Sequence, residues 1–232
     1  MKKYRFIDSL KEKMTLVVSL TENNLQWAKS IESAGAHSVK VHINVLSHRA
    51  SKTHFKSWEE EKENIKEIPN ELSIPVGIVP GAEVTASLEE MEEIKKCGFD
   101  YLDIFSHHMP PSYLDINGMS KSVALDNHYP LDYAPIIEKL GADMIEASII
   151  PPEEYGQPLT VKDISFYQKL ISSVSIPVFI PTQRKIQPNQ VKYLRRVGAS
   201  GIAIGAVVTS KNIDTILKTT EEFRKEIDKL TE

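Results

Sequence analysis

Four strand-like segments of this sequence carry polar side chains at spacings that could support acid–base chemistry. Counting five residues on from the glycine before each segment reaches Lys40, Asp103, Glu146 and Ala203. An ammonium and two carboxylates held close together push one another's pKa values apart, which suits proton abstraction and return beside a carbonyl group. A partly desolvated lysine could instead form a Schiff base with a carbonyl substrate. A third alternative is an internal salt-bridge layer that only fixes the register of the strands.

A second set of residues lies two positions further along each segment. It contains His42, Phe105, Ser148 and Gly205. His42 is a candidate acid–base residue, although a lone histidine can equally be a satisfied polar side chain. The same alternation in two other segments adds Asp126 and Gln183. The candidate catalytic residues are therefore Lys40, His42, Asp103, Asp126 and Glu146.

A divalent metal is an open alternative for the same region. His42, Asp103, Asp126 and Glu146 would all face one interior, with His107 and His108 just above them. No local spacing such as H-x-x-x-H supports such a site, so we predict no metal ligand.

These residues need a scaffold that brings distant segments together, and the hydrophobic pattern predicts one. Apolar, β-branched runs alternate with amphipathic helical patterns along the chain, which is typical of βα units around a parallel sheet. The predicted strands cover residues 15–20, 37–45, 75–80, 100–106, 121–126, 142–149, 177–182 and 200–205. Eight strands with eight helices indicate an α/β fold, the (β/α)8 TIM barrel.

A two-fold internal repeat favours this barrel over an open doubly wound sheet. The residues that open the strands recur in one order, first as Gly35, Ser73 and Gly98, then as Gly141, Ser175 and Gly198. Corresponding members are offset by 106, 102 and 100 positions. We therefore predict two half-barrels of four βα units each. The glycines suit left-handed helix ends, where the lack of a Cβ removes a steric cost.

The barrel fixes how the candidate residues meet. Residues that alternate with the apolar, helix-facing set point into the barrel, where they form layers of four side chains from alternate strands. Lys40, Asp103, Glu146 and Ala203 should therefore share one layer, in which the small Ala203 leaves room. The direction of Ser19 on the first strand is ambiguous from its pattern.

Two long polar segments follow predicted strands and would lie over one end of the barrel. The first half of residues 46–70 includes the basic or histidine side chains Arg49, Lys52, His54 and Lys56. This half is either an active-site loop or a solvated connection to the next helix. Residues 107–120 form the second long loop.

Composition narrows the class of protein. The 232 residues suit one large domain, so we predict a single barrel over 1–232. A net charge of −4 gives no reason to expect nucleic acid or an acidic membrane surface as a partner. The single Cys97 excludes an internal disulfide and a cysteine-based structural zinc site. The polar start of the chain and the lack of a run of about 18 apolar residues favour a cytoplasmic location.

The last two predicted strands carry the most specific pattern. Residues 184–188 (RKIQP) follow strand 7, and residues 198–212 (GASGIAIGAVVTSKN) place Gly205-Ala206 after strand 8. Over roughly residues 175–212 the chain resembles the ribulose-phosphate-binding superfamily of barrels. That superfamily includes sugar-phosphate epimerases, N-acetylmannosamine-6-phosphate epimerases, tryptophan synthase α-type lyases and histidine-pathway isomerases.

The resemblance implies a phosphate site after strands 7 and 8, made of Gln183, Arg184, Gly205 and Ala206. The chain departs from the usual strand 7 pattern, because Arg184-Lys185 replace a glycine pair. Either the two cations grip the phosphate in place of backbone amides, or the phosphate site is weakened, or a different anion binds. The lysine that amino-sugar-phosphate epimerases carry at the end of strand 3 is also missing, and so are the metal-ligand motifs of pentulose-phosphate epimerases.

We therefore expect an enzyme that acts on a small phosphorylated sugar or related carbonyl compound, as an isomerase or epimerase or as an aldolase-type lyase. No cofactor is predicted. Two alternatives are a barrel that binds flavin mononucleotide (FMN) and a non-catalytic barrel that binds a phosphorylated ligand. A homodimer is also open, since barrels of this kind often pair.

Overall fold

The computed structural model describes residues 6–230 and shows a closed barrel of eight parallel strands. In chain order the strands are β1 (Thr15–Ser19), β2 (Ser38–His42), β3 (Val76–Val79), β4 (Tyr101–Phe105), β5 (Ser120–Leu125), β6 (Met144–Ala147), β7 (Val178–Pro181) and β8 (Gly201–Ile204). Each strand pairs with the next, and β8 pairs with β1. The predicted (β/α)8 barrel and its eight strands are confirmed. The two-fold repeat stays a sequence prediction.

Helices connect the strands and surround the barrel. They are α1 (Phe6–Glu12), α2 (Leu25–Ser33), α3 (Trp58–Ile65), α4 (Ile68–Glu71), α5 (Leu88–Lys96), α6 (Ala134–Lys139), α7 (Val161–Ile171), α8 (Val191–Arg196), α9 (Ala206–Thr209) and α10 (Ile213–Asp228). Several begin at side-chain caps that the sequence supplies. In α5, for example, Ser87 and Glu90 form a reciprocal capping box. Within residues 6–230, no helix is both long enough and apolar enough to cross a membrane.

The glycines that open four of the strands have the predicted backbone. Gly35, Gly98, Gly141 and Gly198 have φ angles of 99°, 93°, 103° and 92°. These values lie in the left-handed region, so each glycine ends a helix and turns the chain back into the barrel.

The apolar core has two parts, separated by the wall of the barrel. The larger part lies between the strands and the surrounding helices, where residues such as Val39, Ile104 and Ile202 pack. The inner cluster fills the amino-terminal half of the barrel and consists of Phe6, Leu10, Val17, Tyr101, Met144, Phe179 and Ala203. Phe6 and Leu10 come from α1, and the Phe6 ring stacks on Tyr101 with centroids 4.2 Å apart. Helix α1 therefore packs into the barrel from its amino-terminal end, away from the strand ends that carry the candidate site.

The second strand is shorter than its sequence pattern predicts. Val45 was expected inside the strand, but β2 ends at His42. Asn44 has a φ angle of 55°, and Val45 makes an isolated antiparallel bridge to Phe55. The left-handed residue turns the chain out of the sheet, so residues 44–56 form a loop that folds back on itself. We call this segment the β2 loop.

Candidate active site

A cavity of about 330 Å³ opens among the carboxyl ends of the strands. Its size lies at the lower end of the range of sites that hold small molecules. Its lining includes inward residues of β2, β4, β6 and β8, together with the β2 loop and the segments that follow β6, β7 and β8. The carboxyl end of a parallel barrel is where such folds place their chemistry.

Lys40, Asp103 and Glu146 meet at the floor of this cavity. The Lys40 ammonium donates to Asp103 Oδ2 and, over 2.6 Å, to Glu146 Oε2. The three residues are only 5%, 2% and 6% exposed, and all three line the cavity together with Ala203. The structure therefore brings together the side chains that the alternation placed in one layer. Their catalytic role stays a prediction.

Burial and charge shift the pKa values of this cluster in different directions. Burial alone would lower the pKa of Lys40, but the adjacent Asp103 and Glu146 charges outweigh it and raise that pKa above its usual value. Burial, with the negative charge of Glu146, raises the pKa of Asp103 to about 7. The pKa of Glu146 is lowered, because Lys40 and its hydrogen-bond donors outweigh the effect of burial. The cluster thus holds one cation, one carboxyl group whose pKa is raised and one carboxylate whose pKa is lowered.

Hydrogen bonds fix the cavity wall beside Glu146. Ser148 Oγ donates to Glu146 Oε1 over 2.6 Å. Gln183 Nε2 donates to the Ser148 carbonyl oxygen over 3.0 Å and to the Tyr155 hydroxyl over 2.5 Å, and Gln183 Oε1 accepts from the Ile150 amide. Both ends of the Gln183 amide are therefore used within the protein, and Gln183 shapes the wall of the cavity.

His42 lines the cavity as a neutral side chain. Its Nε2 lies 3.2 Å from Ser19 Oγ, which shows that Ser19 points inward, and its ring stacks on Phe55. Burial, reinforced by the nearby His48 and Lys40, lowers the pKa of His42 well below its usual value. Burial likewise lowers the pKa of His48 to about 4. At neutral pH the His42 ring is therefore uncharged, and it can donate or accept a hydrogen bond.

Asp126 is outside the cavity, contrary to its predicted place in the interior. Strand β5 ends at Leu125, and Asp126 begins a turn in which its Oδ1 accepts from the His128 amide. Its other oxygen lies 3.3 Å from His107 Nδ1. Because the strand alternation stops one residue earlier, it no longer determines the direction of the Asp126 side chain. In the loop after β4, His108 lines the cavity and His107 does not.

Arg184 also turns away from the cavity. Its Nη2 donates to Asp163 Oδ1 over 2.9 Å and to the Glu154 carboxylate, and its Nη1 donates to the Glu154 carbonyl oxygen. The side chain is only 6% exposed and is not part of the cavity lining. The guanidinium therefore joins α7 to the segment after β6. This structural role replaces the phosphate contact that was expected of it.

Gly205 and Ala206, the two predicted phosphate-site residues after β8, both line the cavity. The Gly205 amide donates to Thr182 Oγ1 over 3.1 Å. Ala206 and Val207 open α9, and among the described residues their amides have no protein acceptor. Two backbone N–H groups of cavity-lining residues therefore have no partner within the described protein.

Sequence reasoning missed part of the lining. Ser47, His48 and Arg49 of the β2 loop reach the cavity, whereas Lys52 and Lys56 do not. The basic character of this loop was the available signal, and residues 45–50 line the cavity. Tyr155 lies in the segment after β6 and gave no signal, because a loop residue has no periodic pattern to reveal its direction.

No metal centre is evident in the part of the chain that the structure describes. Within residues 6–230, no three histidine, cysteine, aspartate or glutamate side chains are arranged to hold an ion. The candidate metal ligands are dispersed instead. Asp103 and Glu146 lie with Lys40 at the cavity floor, in what we call the floor cluster. Asp126 pairs with His107, and His42 lies beside Ser19 and Phe55.

Fold and site together define the class as a (β/α)8 barrel with a charged cavity at the carboxyl ends of its strands. No protein-family model and no curated protein matches the sequence. Solved structures do share the fold. A thiamine phosphate pyrophosphorylase from Pyrococcus furiosus superposes with a TM-score of 0.69 at 18% identity, over 96% of this chain and 100% of that chain.

Two further structures are similar over nearly their whole length. A tryptophan synthase chain from Mycobacterium tuberculosis has a TM-score of 0.72 at 9% identity, over 95% of this chain and 96% of that chain. The (S)-3-O-geranylgeranylglyceryl phosphate synthase from Thermoplasma acidophilum, in complex with its substrate sn-glycerol-1-phosphate, has a TM-score of 0.65 at 14% identity, over 97% and 99%. These similarities establish the fold. Beyond this shared fold, the resemblance to ribulose-phosphate-binding barrels stays a prediction.

Proposed function

We propose that this protein is an enzyme that acts on a small phosphorylated carbonyl compound, such as a sugar phosphate, by moving a proton next to the carbonyl group. One observation carries the proposal: Lys40 joins Asp103 and Glu146 at the floor of a cavity at the catalytic end of the barrel. This chemistry fits an isomerase or epimerase.

The carboxyl groups have the properties that proton transfer requires. Asp103, with a pKa raised to about 7, can both accept and return a proton near neutral pH. Its buried Oδ1 has no hydrogen-bond partner among the described residues, so we assign the transferred proton to this oxygen. Lys40 uses two of its three N–H donors on the carboxylates, so the third can support negative charge on a substrate oxygen.

The charge state of Lys40 favours proton transfer over an imine route. Formation of a Schiff base requires a neutral amine, and the two carboxylates raise the pKa of Lys40 instead of lowering it. An aldolase-type lyase that uses Lys40 as its nucleophile is therefore less consistent with this geometry.

The amides of Ala206 and Val207, which have no partner within the described protein, support the proposal of a phosphate site beside α9. Barrels of this kind hold phosphate with backbone N–H groups after their seventh and eighth strands. Two of the similar structures have a phosphate compound in their names, thiamine phosphate in one and the substrate sn-glycerol-1-phosphate in the other. With its phosphate bound there, the substrate would place its carbonyl group above the floor cluster.

Hydrogen–deuterium exchange tests the proton transfer. The protein is incubated with a panel of aldose and ketose phosphates in D₂O, and NMR follows deuterium entering the carbon beside the carbonyl. We expect exchange with at least one compound, and a loss of about a hundredfold or more in Asp103→Asn. Asp126→Asn is the matched control and should keep the wild-type rate, since Asp126 is outside the cavity.

Other outcomes would point elsewhere. Exchange that survives unchanged in Asp103→Asn would refute the assigned role. Borohydride-dependent mass gain on Lys40 would establish an imine route. A yellow flavin absorbance of the purified protein would favour the FMN alternative, and tight phosphate binding without turnover of any compound would favour the non-catalytic one.

The phosphate contact has its own test. Ala206→Pro removes one N–H at the first position of α9, where proline is tolerated, and Ala206→Ser retains it. We expect Ala206→Pro to weaken binding of inorganic phosphate about tenfold, and Ala206→Ser to leave it unchanged. Equal affinity in the two variants would remove the Ala206 amide from the site.

A further inference from the structure

Arg49 is a cation at the cavity mouth that has no carboxylate partner. The other cation of the lining, Lys40, is bound to Asp103 and Glu146. No carboxylate among residues 6–230 lies within 4.0 Å of the Arg49 guanidinium. Glu83 borders the same mouth, but it is exposed and makes no ion pair with Arg49. Arg49 is an exposed side chain that forms no direct ion pair with a carboxylate of the described residues.

Arg49 contacts two aromatic residues at the cavity mouth. Its guanidinium carbon lies 4.7 Å from the centroid of the Phe105 ring. The Arg49 side chain also forms a hydrogen bond with the Tyr155 hydroxyl. Burial raises the pKa of that hydroxyl, and its hydrogen bonds with Gln183 and Arg49 partly offset the rise. A guanidinium that lies over a ring keeps its N–H groups in its own plane, where they can bind a planar or tetrahedral oxyanion with two hydrogen bonds.

The topology places the Phe105 ring, over which Arg49 lies, on the side of the barrel opposite Ala206 and Val207. Phe105 ends β4, whereas Ala206 follows β8, and β4 and β8 lie opposite each other in the closed order of eight strands. The β2 loop carries Arg49 across the mouth to the β4 side. Its base is fixed by the Val45–Phe55 bridge. The cavity thus has an available cation on one side and two available backbone donors on the other.

We infer that Arg49 binds a second acidic group of the substrate, so that the enzyme takes a compound with a phosphate at one end and a carboxylate or another phosphate at the other. This inference rests on the proposed function, because it uses the phosphate contact at Ala206 as the first anchor. The carbonyl carbon would then lie between the two anchors, above Asp103. Arg49 would determine which phosphorylated compounds are accepted.

Binding of two matched compounds tests the inference. Phosphoglycerate and glycerol phosphate share a three-carbon skeleton, and phosphoglycerate has a carboxylate where glycerol phosphate has an alcohol. We expect the wild-type protein to bind phosphoglycerate at least about tenfold more tightly by calorimetry. Arg49→Gln should lose this preference and keep its affinity for glycerol phosphate. A glycerol bisphosphate arm shows whether carboxylate or phosphate is the better second group.

Two further variants control for charge and folding. Lys56→Gln removes the same charge from the same loop at a residue outside the lining, and it should keep the preference. Arg49→Lys keeps the charge without the paired donors, so an intermediate preference is expected. Thermal melts establish that each variant is folded.

The outcomes separate this inference from the proposed function. Equal wild-type affinity for glycerol phosphate, phosphoglycerate and glycerol bisphosphate would overturn the role of Arg49 alone, provided that glycerol phosphate binds and Ala206→Pro weakens it. A preference for a second acidic group that persists in Arg49→Gln would do the same. If neither compound binds the wild-type protein, both the second anchor and the phosphate contact are overturned.

Discussion

Lys40 donates a hydrogen bond to Glu146 over 2.6 Å across the barrel interior, although 106 positions separate the two residues. The same offset of 106 separates Gly35 from Gly141, the glycines that open β2 and β6. The two partners therefore occupy corresponding positions of the two predicted half-barrels. Strands β2 and β6 lie opposite each other in the closed order, so only side chains that reach the barrel axis can make this contact.

Removing the cation should destabilise the fold. Lys40→Met leaves Asp103 and Glu146 buried without a positive partner, which we expect to lower the free energy of unfolding by about 3–5 kcal/mol. Lys29→Met is the control, because Lys29 and Glu71 form an exposed pair whose loss should cost less than about 1 kcal/mol. Urea unfolding at neutral pH measures both changes. Similar small losses in the two variants would show that the floor cluster contributes no more than a surface pair.

The Asp103 carboxyl should impose its own pH dependence on stability. Its pKa rises from 3.8 to about 7 on folding, so between these values the folded protein binds more protons than the unfolded chain. The free energy of unfolding supplied by this group therefore falls as pH rises from about 4 to about 7. The coupled Glu146 is part of the same titration.

Buried histidines act in the opposite direction over part of this window. Burial lowers the pKa values of His37 and His48 from 6.5 to about 4, so their contribution to stability is lost as pH falls through that interval. The test is thus the difference between wild type and Asp103→Asn, in which the histidine contributions cancel. Urea titrations from pH 4 to pH 8 should show this difference decline by at most about 1.4 kcal/mol per pH unit. A difference that does not vary with pH would contradict the raised pKa of Asp103.

Two glycines of the barrel should respond very differently to alanine. At Gly77 a Cβ would lie 2.2 Å from the Tyr101 ring, which is itself packed on Phe6 in the inner cluster. Gly77→Ala should therefore cost about 1–3 kcal/mol or more through overpacking. At Gly205 the nearest atom is Ser19 Cβ at 3.6 Å, and the expected change is within about 0.5 kcal/mol. Thermal or urea unfolding measures the stability of both variants. Comparable losses of stability in the two would refute the packing of Tyr101 against Gly77.

Arg184 should matter for stability and not for phosphate. Arg184→Met leaves Asp163 buried without its cation, and we expect a loss of about 3–5 kcal/mol in the free energy of unfolding. Lys169→Met, which breaks the exposed pair with Asp132, should cost less than about 1 kcal/mol. Affinity for inorganic phosphate should be unchanged in folded Arg184→Met. A clear drop in that affinity would return Arg184 to the phosphate site.

The barrel and its charged layer could be predicted because both follow from local pattern. In a strand, successive side chains point to opposite faces, so the apolar residues around Lys40, Asp103 and Glu146 determine that these three point inward. The glycine before each of these segments sets the depth at which counting starts. Closure of the barrel then brings the three together, which the sequence order alone would not.

The alternation of side chains no longer predicts their direction beyond the ends of the strands. Asp126 lies one residue beyond β5, and Arg184 follows β7, so neither direction is fixed by alternation. Arg184 turns outward because the buried Asp163 of α7 binds it, a contact that depends on how a helix packs against the barrel.

The sequence by itself thus determined the fold and the floor of the cavity, because a period of two and a glycine-led repeat specify which side chains share an interior. The tertiary structure decided the rest. It closed the amino-terminal end of the barrel with α1, folded the β2 loop over the mouth and brought Arg49 to Phe105. Contacts between segments without periodicity depend on packing and charge pairing over long separations, and no local pattern encodes them.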